Sequence, residues 1–291
     1  MTFVDFILGL LFLAQTGTGV LGNIFLLITC AFTSTDQALR PTNLILTNMA
    51  VANFLVLLFK GIPWTILTWR GTLMLGNTGC KLVFYMLRVG RGLALCTTCL
   101  LSNFQAITIS PRAGGRMGLK KRAGQNVSSS CFLCWISTLL INIFVPIHMK
   151  GLQHVQNSTK IQHYGLCSAN RPGNTVALYT TLMTLPDVVF LVLMAGASGY
   201  MVLLLYQHRQ RVRHIHALRA SHRLSPEGKA TQTILLLAST FILFYLINSV
   251  LTIYNTAFYR FRPWMQHTVT FLTACYPTLG PLILLLQNPK H

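Results

Sequence analysis

Side chains able to do chemistry are scarce in this sequence. Only four of its 291 residues are acidic, Asp5, Asp36, Asp187 and Glu227. With so few in total, a paired-carboxylate mechanism is nearly excluded. There is no glycine loop for phosphate and no metalloprotease helix, so no enzyme activity is expected. His214-x-His216 offers two imidazoles but no third or fourth ligand nearby, and neither a metal nor another cofactor is expected. Cys131-x-x-Cys134 has redox spacing, yet it lies in an apolar run where packing is the simpler role.

Arg88, Arg91 and Asp187 are the charges that require an account, because each falls within a long apolar stretch. An ionised side chain at mid-membrane is costly, by about 2.5–3.5 kcal/mol on insertion scales. Buried charges of opposite sign at matched depth are expected to face one another and pair. Two readings stand. The pair fixes helix register, or the three residues form the charged floor of a ligand cavity. Pro186 beside Asp187 breaks a helical hydrogen bond at that level.

The elements that must position these residues follow from composition. Hydrophobic residues make up 53% of the chain and charged residues 9%, far from the roughly one-quarter charge of soluble domains. Apolar runs of about 18 or more residues cross the hydrocarbon core as helices, because backbone groups in lipid must pair internally. The sequence predicts spans at 6–32, 41–66, 80–109, 127–147, 175–206, 230–257 and 265–286. The expected fold is therefore an all-α membrane protein, one seven-helix domain over residues 1–291. The first run is too long for a signal-peptide core and lacks a basic flank, so a retained anchor is expected.

Basic residues set the orientation. With the N-terminus outside and the C-terminus inside, thirteen Lys and Arg fall on inner segments and seven on outer ones. That asymmetry follows the positive-inside bias, and it removes nucleic acid as the explanation of a net charge of +19. The segment 207–229 carries six of the inner basic residues and suits anionic lipid or a partner protein.

In this topology Cys80 and Cys167 are the two cysteines in the oxidising outer compartment, and a disulfide between them is expected, the alternative being two free thiols. Asn157-Ser158-Thr159 is an outer glycosylation acceptor, whereas Asn126-Val127-Ser128 falls inside and should stay bare. Asn23, Asn48, Asn53 and Asn248 lie within spans, where amides usually act as interhelical hydrogen-bond links.

Several stretches resemble vomeronasal type 1 receptors. They include Leu46-Thr47-Asn48-Met49-Ala50-Val51-Ala52-Asn53, Lys60-Gly61-Ile62-Pro63, Cys80-Lys81-Leu82-Val83-Phe84-Tyr85 and Arg88-Val89-Gly90-Arg91-Gly92. Phe104-Gln105-Ala106-Ile107-Thr108-Ile109-Ser110, Ser225-Pro226-Glu227 and Cys275-Tyr276-Pro277-Thr278-Leu279 continue the likeness. The resemblance implies a rhodopsin-like seven-helix receptor in the plasma membrane of vomeronasal sensory neurons. It implies a pheromone or related small molecule as ligand and an inhibitory-class heterotrimeric G protein as partner. The ligand is expected in the outer half of the bundle, between the third, fifth and sixth spans and above Arg88, Arg91 and Asp187, where cavities form between helices. Gln105, Arg112, Lys120, Lys121, Arg209, Arg211 and Arg213 are the candidate G-protein-facing residues. Phe104-Gln105-Ala106 stands where the wider rhodopsin-like class has Asp-Arg-Tyr, and Asn53 where it has a sodium-binding Asp. Neither the arginine lock nor the sodium site is therefore expected. The rival readings are a bitter-taste-type receptor and a small transporter or channel, although the repeats and broken helices common in transporters are not evident.

Overall fold

Each apolar run folds as a helix, and polar or proline-bearing segments divide one run from the next. The computed structural model describes residues 3–35, 40–70, 73, 75–110, 116–151, 161–163, 167–170, 175–215, 226–257 and 263–286. Helix α1 (Phe3–Thr35) forms the first span. The second joins α2 (Pro41–Val56) to α3 (Ile62–Arg70) through a π turn at Leu57–Gly61. Pro41 opens α2, where a missing N–H costs nothing. The third span is α4 (Asn77–Ile109), and the fourth is α5 (Arg116–Ile141) continued by the short α6 (Val145–His148). Helices α7 (Thr175–Ile215), α8 (Pro226–Ala257) and α9 (Pro263–Leu286) complete the bundle. Among the described residues, seven helices are long and apolar enough to cross a membrane.

Two helices run further than hydropathy suggested. The fourth begins at Arg116 rather than near 127, and the fifth continues to Ile215 rather than 206. Hydropathy registers only the apolar length, whereas Lys, Arg, Gln and Leu continue a helix into water as readily as they start one.

Between α6 and α7 lies a small antiparallel sheet, an addition to the all-α bundle. Strands β1 (Met149–Gly151) and β2 (Ile161–His163) flank β3 (Cys167–Asn170), with Gly151 opposite Cys167.

The third span is central. It has the lowest hydropathy of the seven, yet 61% of its most apolar window is buried, against 17% for the fifth. Its polar side chains therefore face protein rather than lipid. Gly90 permits the closest approach to the second span. A Cβ there would stand 2.9 Å from Leu55 Cβ and 3.2 Å from the Ala52 carbonyl oxygen. The core fills with Ile45, Met49, Leu93, Leu95, Met194 and Leu237. Large apolar side chains such as Leu21, Phe132, Val192 and Val250 point outward, as a surface solvated by lipid requires.

The four amides Asn23, Asn48, Asn53 and Asn248 each link neighbouring spans. Asn23 donates to the Pro277 carbonyl at 2.9 Å, and Asn53 donates to Asn23 Oδ1 at 3.2 Å. Trp135 Nε1 donates to Asn48 Oδ1 at 2.8 Å, and the Thr273 hydroxyl approaches Asn248 Oδ1 at 3.4 Å. A proline-bearing helix exposes carbonyls that such side chains can take up, which is why Asn23 meets α9 at Pro277.

Cysteine pairing departs from expectation at one place. Cys134 does more than pack. It stands at disulfide geometry with Cys96, the Cα atoms 6.0 Å apart, joining the third span to the fourth. Cys99 and Cys131 remain free and buried nearby in the same core.

Candidate functional site

One end of the bundle is closed by a covalent tie. Cys80, in the first turn of α4, and Cys167, at the start of β3, stand at disulfide geometry with Cα atoms 5.9 Å apart. Both are fully buried, in a cluster with Phe12 and Trp64. The tie fastens the three-stranded sheet to the beginning of the third span.

Deeper in the bundle, Arg88, Arg91 and Asp187 come together around one cavity, with Thr138, Asn142 and Phe190 completing its walls. At about 1.5 Å per residue, the two arginines lie roughly 12 and 16 Å along α4 from Cys80. The expected direct pairing of carboxylate with guanidinium is replaced by a bridged one. Tyr245, on the sixth span, donates its hydroxyl to Asp187 Oδ2, and the Arg91 guanidinium lies 4.5 Å from the centroid of the same ring. Among the described residues no ion pair joins Asp187 to either arginine. The physical reason is one of reach. The Tyr245 ring fills the space between the fifth and third spans, and it offers a hydroxyl to one charge and a π face to the other. Three spans are thereby linked at one level through a single aromatic residue.

A second cavity also has Arg91 in its wall, with Val56, Phe241, Tyr245, Asn248 and Tyr276. It is partly open to the surroundings. Its floor is fixed by hydrogen bonding, because the Tyr276 hydroxyl lies 2.7 Å from Thr98 Oγ1 and donates to Met49 Sδ at 3.4 Å. Phe241 meets Tyr276 edge-on, with ring centroids 4.2 Å apart. An apolar wall with a few converging polar groups is the usual form of a small-molecule site.

Tyr245 and Lys60 are the residues that sequence reading did not single out for this region. The available signal was depth. Tyr245 lies three residues before Asn248 in the run Phe241-Ile242-Leu243-Phe244-Tyr245-Leu246-Ile247-Asn248, and Lys60 is the one cation of the second span's interior.

At the opposite end of the bundle, Gln105 is buried rather than presented on the surface, and its amide reaches Thr231 Oγ1 at 3.4 Å, linking the third span to the sixth. Lys121 is exposed on α5. Lys120, Arg209, Arg211 and Arg213 lie on helix. Arg112 and Asn157 lie outside the described residues.

Seven membrane-spanning helices around a buried third span, with a loop tied to its start and a polar cluster beneath, make up the bundle of a G-protein-coupled receptor. The chain belongs to the vomeronasal organ pheromone receptor family, whose family model matches residues 6–290. It is 40% identical to vomeronasal type-1 receptor 1 of Homo sapiens over 283 residues, covering 96% of this chain and 80% of that one. It is 41% identical to vomeronasal type-1 receptor 3 of Homo sapiens over 289 residues, covering 98% and 92% of the two chains. Olfactory receptor class A-like protein 1 of Danio rerio is 31% identical over 285 residues, 97% of this chain and 89% of that one. Membership makes this chain a multi-pass, vomeronasal-type chemosensory receptor.

Proposed function

We propose that the chain acts as one seven-helix domain in the plasma membrane of vomeronasal sensory neurons. It binds a small chemosignal from the outer, Cys80 side of the bundle and activates an inhibitory-class heterotrimeric G protein on the inner side. The observation that carries this reading is the Arg91–Tyr245–Asp187 link beside the cavity. It ties the third, fifth and sixth spans at one level, next to space that a small molecule could enter. A ligand shifts a two-state equilibrium only through contacts that differ between the states. A molecule competing for Arg91, Tyr245 or Asp187 makes such contacts. The Gln105–Thr231 bond, at the far end of the third and sixth spans, would report the change there. Arg112, Lys120, Lys121, Arg209, Arg211 and Arg213 would meet the G protein around it.

The reading is tested with receptor reconstituted with an inhibitory-class G protein and exposed to steroid-like, volatile and urinary compound panels. Ligand-evoked nucleotide exchange without solute flux is expected. Flux without exchange would put the chain among transporters. The orientation has its own check, since Asn157 is expected to carry glycan in cells and Asn126 none. Glycan on Asn126 with Asn157 bare would invert the topology.

A further inference from the structure

The third and fourth spans meet along a row of small and sulfur-bearing side chains. Gly92, Cys96 and Cys99 step along α4 by four and then three residues, so they share one face of that helix. Thr138, Cys134 and Cys131 step back along α5 by the same intervals. Consecutive spans run antiparallel, so the two sets stand opposite each other as successive rungs. The first rung is close, because a Cβ on Gly92 would lie 3.1 Å from Thr138 Cγ2. At the second, the Cα atoms of Cys96 and Cys134 are 6.0 Å apart, within the reach of a disulfide. At the third, Cys99 Sγ is engaged on its own helix, where Asn103 Nδ2 donates to it at 3.3 Å. Among the described residues no group of His, Cys, Asp and Glu is arranged to hold a metal ion, so the row favours pairing over a thiolate cage.

The row ends at a cavity. Gly92 and Thr138 both line the space shared by Arg88, Arg91 and Asp187, one helical turn from the Cys96–Cys134 rung. The wall supplied by Thr138, Ile141 and Asn142 is the end of α5, where the helix gives way to turns at 142–144. Lateral contacts therefore fix where this end stands. Tyr85 of the third span makes one, its hydroxyl donating to the Leu139 carbonyl at 3.2 Å. The Cys96–Cys134 rung makes another, and it is covalent. Phe132, Leu133 and Leu140 cover the outward side of the same helix, where lipid yields to movement.

We propose that Cys96 and Cys134 form a peroxide-set clamp, a site of reversible oxidation that fixes the width of the Arg88–Arg91–Asp187 cavity. Location selects the oxidant. The rung is buried within two membrane spans, where charged redox couples such as glutathione do not enter, whereas hydrogen peroxide is small and uncharged. One cysteine sulfur attacks a peroxide oxygen and the O–O bond breaks. The departing hydroxide takes the thiol proton and leaves as water. The second sulfur attacks the resulting sulfenic acid, and the S–S bond forms as the S–O bond breaks. A second water carries off the remaining proton, and two electrons have passed from the sulfur pair to peroxide. An uncharged dithiol returns them. Oxidised, the clamp holds Gly92 against Thr138. Reduced, it frees the end of α5 to lean into lipid, and the cavity widens. The effect on chemosignal binding rests on the receptor reading, whereas the clamp itself does not.

The test uses full-length receptor in nanodiscs, reduced with dithiothreitol and then titrated with hydrogen peroxide. Non-reducing peptide mapping is expected to show Cys96 joined to Cys134, with Cys99 and Cys131 still open to alkylation after denaturation. Amide hydrogen exchange over 138–142 should be about tenfold slower after peroxide than after dithiothreitol. Added glutathione should reverse neither change. Cys134→Ala is expected to exchange at the fast rate under both treatments, and it shows how much of any change comes from Cys80–Cys167. Cys134→Ser is the second variant should the alanine protein fail to fold. Failure of the cross-link to form, its appearance at Cys99–Cys131 instead, or resistance to dithiothreitol would overturn the clamp. So would exchange over 138–142 that ignores the cross-link, or that peroxide slows equally in both Cys134 variants. None of these outcomes depends on G-protein activation, so failure here is distinguishable from failure of the receptor reading.

Discussion

Replacing Cys80 or Cys167 with serine is expected to abolish surface delivery, lowering cell-surface receptor at least about tenfold. The bond spans 87 residues of sequence and ties the sheet-bearing loop to the third span. Constraining a loop of that size contributes about 4.6 kcal/mol on the chain-entropy account. In a membrane the unfolded reference is already restricted by its inserted helices, so about 2–4 kcal/mol is the working figure. Both sulfurs are buried against Phe12 and Trp64, so a serine hydroxyl at either position would also be left in an apolar cluster. The double variant is expected to be no worse than either single, because the two residues act as one unit. Surface labelling of epitope-tagged receptor measures the effect, and additive losses would mean that the cysteines act separately. Alkylation under non-reducing, denaturing conditions supplies the control. Four of the eight cysteines are expected to react, Cys30, Cys99, Cys131 and Cys275, with Cys96 protected by Cys134.

The bundle was legible in the sequence because lipid leaves so few solutions. Length and hydropathy of the runs mark the spans, and Pro41 and Pro263 sit at helix starts as their chemistry demands. Proximity of Cys80 and Cys167 follows from compartment alone once the spans are placed. What composition could not supply was rotation about each helix axis. Arg91 and Asp187 could be matched in depth, but nothing in their spacing says that the ring of Tyr245 stands between them. The Cys96–Cys134 contact was hidden for the same reason. In an apolar helix a thiol that meets another thiol and one that meets a leucine have the same sequence signature. Hydropathy marked the spans but not the basic turns by which the fourth and fifth helices continue past them. The π turn at Leu57–Gly61 left no trace, and with it the burial of Lys60 went unread.

Asp187→Asn is expected to change either ligand potency or basal activity by about 30-fold, the equivalent of about 2 kcal/mol for a hydrogen bond to a charged group. The substitution leaves an amide where Tyr245 now meets a carboxylate, and it removes the negative charge that faces Arg88 and Arg91 across their shared cavity. Tyr245→Phe keeps the ring beneath Arg91 but withdraws the hydroxyl, so Asp187 loses its donor while the cation–π contact survives. If the bridge works as a unit, the two single variants should each show most of the full effect and the double variant little more. Adding Arg91→Met to Asp187→Asn should recover part of the lost function, because it removes a buried cation whose compensation has gone. The measurement is a G-protein activation dose–response on each variant, normalised to receptor number at the surface. Unchanged potency and basal activity in Asp187→Asn would reduce the carboxylate to a tolerated polar group in a wet crevice. A Tyr245→Phe effect that simply adds to that of Asp187→Asn would separate the ring from the charge and return the link to three independent contacts.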